Sequence, residues 1–164
     1  RVDNATGVTD IISLLTETVV DYQDIQDKYW LAMFIRAYEG YNWFTLQADY
    51  DLVPKLSARS VALEYAKKFQ GDDALDTKYK NKVKTDIQIL NISPNGKGAA
   101  SVRFVKNMKV VETGANHEPP SYWIATINYQ YNANVEMKES ERLINPFGFT
   151  VISYRVDPEM GVTR

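Results

Sequence analysis

The sequence predicts an α+β fold, with helices leading and a meander of antiparallel strands following. Three observations carry that reading. Apolar residues recur at helical spacing from Asp21 to Phe44. Beyond Thr85 they alternate instead, as they do on a pleated sheet. The stretch RLINPFGFTVISYRVDPE, Arg142 to Glu159, then runs from a polar lead-in through a tight turn and a strand to an Asp-Pro stop.

The elements follow in chain order. Arg1 to Val8 reads as an extended lead-in with a turn at Gly7, then a short helical turn near Asp10 to Leu15. Asp21 opens a long helix, with Asp24 and Asp27 where acidic groups favour the positive helix end. Tyr22, Ile25, Tyr29, Met33 and Arg36 form one stripe; Trp30, Phe34, Ala37, Tyr41 and Phe44 form a second. Two stripes predict a helix with one face on a sheet and the other on a further chain. Gly40 is a point where it bends or divides. Pro54 and Ser57 mark the next boundary, Ser57 as an N-cap for a helix ending near Phe69 before Gly71. GDDALDTKYKN is polar and loop-like or weakly helical.

Four strands are expected, over Thr85–Ile92, Ser101–Val111, Tyr122–Ala133 and Phe149–Val156. Asn95-Gly96 is the hairpin signal between the first two. In the second, Val102, Phe104, Met108 and Val110 read as inward, with Lys106 an exception. In the last, Asn145 before Pro146 is pushed out of the helical region, and Gly148 can turn left-handed. Both faces of that last strand are largely apolar, which predicts cover on both sides.

With 164 residues the chain suits one domain, 1–164, able to bury a core without a staple. Hydrophobic residues make up 45% and charged residues 24%, a globular balance. The net charge is −2 and no basic run is evident, which disfavours nucleic acid as a partner. No apolar run approaches the ~20 residues that span a bilayer. The chain opens on Arg1 rather than Met, as a fragment or processed product would.

Against this frame the residues resemble a family. RLINPFGFTVISYRVDPE looks like the terminal signature of the periplasmic domain of the VirB eight family, inner-membrane components of type IV secretion systems. KYWLAMFIRAYEGY is similar to that family's main helix, and RVDNATG to the segment after its membrane anchor. The resemblance implies a strongly bent four-stranded antiparallel sheet wrapped by helices, similar to nuclear transport factor two. It implies a cytoplasmic tail and one membrane helix upstream, with the domain on the periplasmic face of a Gram-negative inner membrane. It implies homodimers and contact with VirB nine-like and VirB ten-like core subunits. Dimer contacts are implied at Tyr29, Glu139 and the Asn145-Pro146-Phe147-Gly148 turn, and core-subunit contacts at Thr126 and Arg155. Tyr38 departs from the family pattern, where related sequences often carry Arg.

The residues themselves leave alternatives open. Tyr29 suits an interface anchor or a core aromatic. Arg36 and Glu39 suit a partner-facing charge pair or a local helix pair. Arg155 needs a carboxylate or a partner if buried. His117, the sole histidine, lies in a polar loop, and with no Cys no transition-metal site is expected. Asp72, Asp73 and Asp76 lack calcium-loop spacing and read as a solvated turn. Asn4 and Asn91 begin glycosylation sequons that carry no meaning in a bacterial protein. No nucleophile elbow, phosphate loop or cofactor motif is present. The function expected is a non-enzymatic assembly scaffold. The alternative is a small-ligand-binding or isomerase-like domain using the cone of a bent sheet, with Asp49, Tyr50 and Asp51 as the loose candidates.

Overall fold

The computed structural model describes residues 22–133 and 136–160. The extended lead-in, the turn near Asp10 to Leu15 and the opening at Asp21 lie outside these residues. The chain divides into two compact units, Arg1–Met33 and Phe34–Arg164.

Helix α1 covers residues 22–39. Gly40 ends it rather than bending it. The Gly40 N–H still donates to the Arg36 carbonyl at 3.0 Å, and a β-carbon at Gly40 would lie 2.6 Å from that same oxygen. The chain is therefore free to turn, and Tyr41 bridges to Thr85 of the sheet. Phe44 leaves the apolar stripe and is 73% exposed.

Helix α2, Leu46–Lys55, was hidden from periodicity by its low overall hydropathy; Pro54 sits within its last turn rather than at a boundary before a helix. Helix α3, Arg59–Ala66, continues as a 3-10 turn over Lys67–Phe69. Its N-cap is Ala58, not Ser57. The Ser57 hydroxyl instead donates back to the Val53 carbonyl at 2.6 Å, closing α2. A short α4, Leu75–Tyr79, follows.

Strands β1 (Val83–Pro94), β2 (Ala99–Val110), β3 (Ser121–Tyr131) and β4 (Phe149–Pro158) form one antiparallel sheet in sequence order. This is the expected meander, and the α+β class holds. Helix α5, Glu139–Ile144, occupies what reads in sequence as a polar lead-in. Two bulges shape the sheet. Register shifts between Ile89 and Asn91 against β2, and between Asn128 and Tyr129 against β4. In β4 the extra residue is Ile152, so the inward set runs Phe149, Val151, then Tyr154 and Val156. A bulge bends its strand and strengthens the local twist. The other face of β4, with Ser153, Arg155 and Asp157, is exposed, so the expected double cover is corrected.

The core lies between the helices and the inward sheet face. Phe34, Ile35, Val53, Leu56, Val102, Phe104, Ile127, Phe149 and Val151 are fully buried there. The Phe34 ring meets Tyr154 edge-on at 5.4 Å, and Tyr38 stacks against Tyr65 and Tyr154 at 5.1 and 4.5 Å. Lys106 is no exception to the alternation. It faces inward like its strand neighbours and finds an acid there, as described below.

Candidate interaction surfaces

Within the first unit, α1 presents Tyr22, Ile25 and Tyr29 to solvent, at 73%, 63% and 57% exposure. They recur at spacings of three and four, hence one face. Tyr29 is therefore not a core aromatic; its ring rests edge-on against Trp30 at 5.3 Å, which holds it in place. Beside the stripe stand an exposed ion pair, Lys28–Asp24 at 3.1 Å, and a hydrogen bond from Gln23 to Asp27 at 3.0 Å. An apolar centre flanked by polar groups has the composition of a protein-contact surface.

Arg36 and Glu39 do not pair. Arg36 is exposed, while Glu39 turns into the core at 6% exposure. There its carboxylate meets the Lys106 ammonium of β2 at 2.8 Å and accepts the Tyr154 hydroxyl of β4 at 2.5 Å. Burial pushes the Glu39 carboxyl up, but the charges of Lys68 and Lys106 and the two hydrogen bonds outweigh it and hold it below its ordinary value. Lys68 donates to the Tyr38 carbonyl and lies over the Tyr38 and Tyr65 rings at 4.9 and 5.5 Å. Burial pulls its ammonium down to about 8 against the opposing charge of Glu39. Burial first, then Glu39, pushes the Tyr38 and Tyr154 phenols up, Tyr38 to about 12. Sequence spacing pointed Glu39 to Arg36 because only neighbours one turn away are visible there. The inward Lys106 was the available signal, since an ammonium on a buried face needs an acid.

The second surface is α5 and the turn after it. Glu139 is exposed at the first position of α5, and Glu141 accepts from the Lys138 N–H at 3.2 Å to start the helix. Leu143, Ile144 and Phe147 are 77%, 41% and 49% exposed, and Pro146 is also exposed. Asn145 is different. It is 3% exposed, donates to the carbonyls of Lys55 and Phe149 at 3.1 and 2.8 Å, and accepts the Phe149 N–H at 2.9 Å. Gly148 is buried at φ +66, where a β-carbon would collide with the Asn132 backbone. So within the turn Pro146 and Phe147 face outward, while Asn145 and Gly148 are buried and hold its shape.

Thr126 and Arg155 are brought together as directly paired residues of β3 and β4 on the outward sheet face. Arg155 is not buried: its side chain is 74% exposed and its Nε donates to Asp157 at 3.0 Å.

Asp49, Tyr50 and Asp51 do not converge, because consecutive helical residues point about 100° apart. Asp49 accepts from Thr45 at 3.4 Å, and burial raises its carboxyl. Tyr50 stacks towards Tyr65 and Phe69, and Asp51 accepts from Gln47 at 2.9 Å. Asp51 lines an open groove of about 390 Å³ with Lys55, Met137 and Glu141. Among the described residues no group of acids or histidines is placed to hold a metal ion.

A four-stranded meander with helices over its inward face, and apolar patches on its outside, defines an α+β domain of the nuclear transport factor two type. The comparisons with known proteins agree. The family described as VirB8 protein matches residues 1–159. The type IV secretion system protein VirB8 of Brucella abortus biovar 1 is 49% identical over 164 residues, covering all of this chain and 68% of that protein. The soluble domain of TrwG from Bartonella grahamii superposes with a TM-score of 0.80 at 40% identity, over 84% of this chain and 96% of that one. Agrobacterium tumefaciens VirB8, at 23% identity, shares the fold with a TM-score of 0.71 over 83% of this chain and 92% of that one. The chain belongs to the VirB8 family, a structural component of type IV secretion systems that is anchored in the inner membrane and works in the periplasm.

Proposed function

We propose that this domain is a non-enzymatic assembly scaffold: residues 1–164 form one periplasmic domain that dimerises and positions VirB nine-like and VirB ten-like core subunits of the channel. The upstream cytoplasmic tail and membrane helix belong to the same reading. No helix of the described residues is long and apolar enough to cross a membrane.

The observation that carries it is the exposed stripe Tyr22, Ile25 and Tyr29. Large apolar side chains kept in water along one helix face are costly unless another surface covers them. Pro146, Phe147 and Glu139 are the further self-contacts proposed, with Asn145 and Gly148 acting through the shape of the turn. Thr126 and Arg155 are the core-subunit contact; the exposed Arg155–Asp157 pair leaves the guanidinium free to exchange partners at small cost.

Sedimentation of the wild type and Tyr29→Arg across concentration tests the first part. The wild type should self-associate and the variant should not; equal behaviour of the two removes Tyr29 from the interface. An envelope pull-down with the wild type and Arg155→Glu tests the second. Channel subunits should be recovered by the wild type and lost by the variant.

A further inference from the structure

We propose that the lysines entering β1 form a docking surface for the phosphate headgroups of an anionic bilayer. In sequence they look dispersed, alternating through Lys78, Lys80, Lys82 and Lys84. The sheet concentrates them. Val83 is buried on the inward face, so Lys84 takes the outward one, and Lys82 is exposed in the turn just before β1. Lys109 of β2 stands directly opposite Lys84, and the Lys82 carbonyl accepts the Val111 N–H at 2.9 Å beyond it. Like charges facing each other across a ladder destabilise a sheet.

The local acids do not neutralise the cluster. Asp86 reaches Lys84 at 3.4 Å, and Asp76, Glu112 and Glu118, the last beside the Asn116 bridge to Lys109, are other carboxylates nearby, fewer than the five lysines. Among the described residues Lys80, Lys82 and Lys109 form no ion pair. A second observation falls at the same place. Lys80 has a positive φ of 48°, the only non-glycine among the described residues that does. Its carbonyl is held by the Tyr41 hydroxyl at 2.8 Å. A strained backbone kept by tertiary contacts is a mark of functional sites.

The chemistry selects the occupant. Every cation here is lysine, a compact point charge without the planar fork that arginine offers a peptide carboxylate. Beside the charges, Tyr79 lies 5.2 Å under the Lys78 ammonium and 6.1 Å from His117, side chains with an apolar body and polar tip that suit a headgroup layer. The net charge of −2 is no obstacle, because charges beyond about 10 Å are largely screened. The choice of a bilayer over other polyanions rests on the membrane-anchored reading above, which keeps one at high effective concentration.

The test is flotation of the 164-residue chain with vesicles of equal parts phosphatidylcholine and phosphatidylglycerol, against phosphatidylcholine alone. Binding to the anionic vesicles is expected, weakening as salt rises. Lys82→Gln with Lys109→Gln should lower it roughly 30-fold. Lys55→Gln with Lys97→Gln, the same charge loss elsewhere, should leave it nearly intact. Absence of binding, or equal effects of the two pairs, overturns the proposal. So does stronger retention by duplex DNA or an acidic peptide at the same ionic strength. Should the first pair fail to fold, salt-insensitive binding of the wild type overturns it equally. Sedimentation and subunit capture by the lysine variants should be unchanged, which separates this proposal from the scaffold reading.

Discussion

Asn145 shows how one side chain can serve a contact it never makes. Its amide ties the end of α2 to the start of β4 through three hydrogen bonds. Asn145→Ala leaves two carbonyls and one N–H without their partner, at about 1–3 kcal/mol for each that stays buried. A total loss of roughly 2–4 kcal/mol is expected, read by urea denaturation. Gly148→Ala should lose more than about 1 kcal/mol, because both the left-handed φ and the Asn132 backbone oppose a β-carbon. Both variants should also weaken self-association by misplacing Phe147, whereas Phe147→Ser should weaken it with little change in stability. Asn-Pro-x-Gly is legible in the sequence as a corner. That its Asn is buried was not, because the Lys55 carbonyl it binds is distant along the chain.

At the scale of elements, α1 is joined to β2 and β4 by Glu39, Lys106 and Tyr154. Removing one partner of a buried pair strands the other charge, so Lys106→Met should cost about 3–5 kcal/mol in a denaturation midpoint series. Glu39→Met combined with Lys106→Met should cost less than the sum of the two single losses, since the pair is removed together even though Lys68 then loses its opposing charge; an additive loss would exclude the pairing as the cause. Arg155→Glu on exposed β4 should change stability by less than about 1 kcal/mol, which makes it a clean control for capture experiments. The four strands were readable because alternation and the Asn95-Gly96 turn are local signals. Helices α2 and α5 were not: they are short, and their apolar residues are too few to show a period. The bulge at Ile152 also defeated strict alternation, since one inserted residue reverses which face each later side chain takes.

The whole molecule should show a stability optimum in mild alkali. Lys68 holds its proton less tightly when folded, at about 8 against 10.5. Between those values the unfolded chain binds more protons, so stability rises with pH. Tyr38, raised from 10.0 to about 12, and Tyr154, also raised, act in the opposite sense. Above about pH 10 the unfolded phenols ionise while the folded ones resist, and stability falls. Glu39, held below 4.5, contributes stability above that value that is lost as pH falls through its folded pKa. Melting temperatures followed from pH 4 to 11 should therefore rise from acid, climb again past about 8, and drop beyond about 10. Lys68→Met should remove the climb alone.

Local pattern was enough for the α+β class, the strand order and the turn at Pro146, because each depends on residues close in the chain. It also carried the family resemblance, since the terminal signature is a continuous stretch. Which residues face outward was settled by packing. Tyr29 and Arg155 are exposed, Glu39 and Asn145 are buried, and Lys84 meets Lys109. Those outcomes depend on side chains contributed by other elements, on two bulges that reset the sheet faces, and on where low-dielectric burial forces a charge to find its opposite.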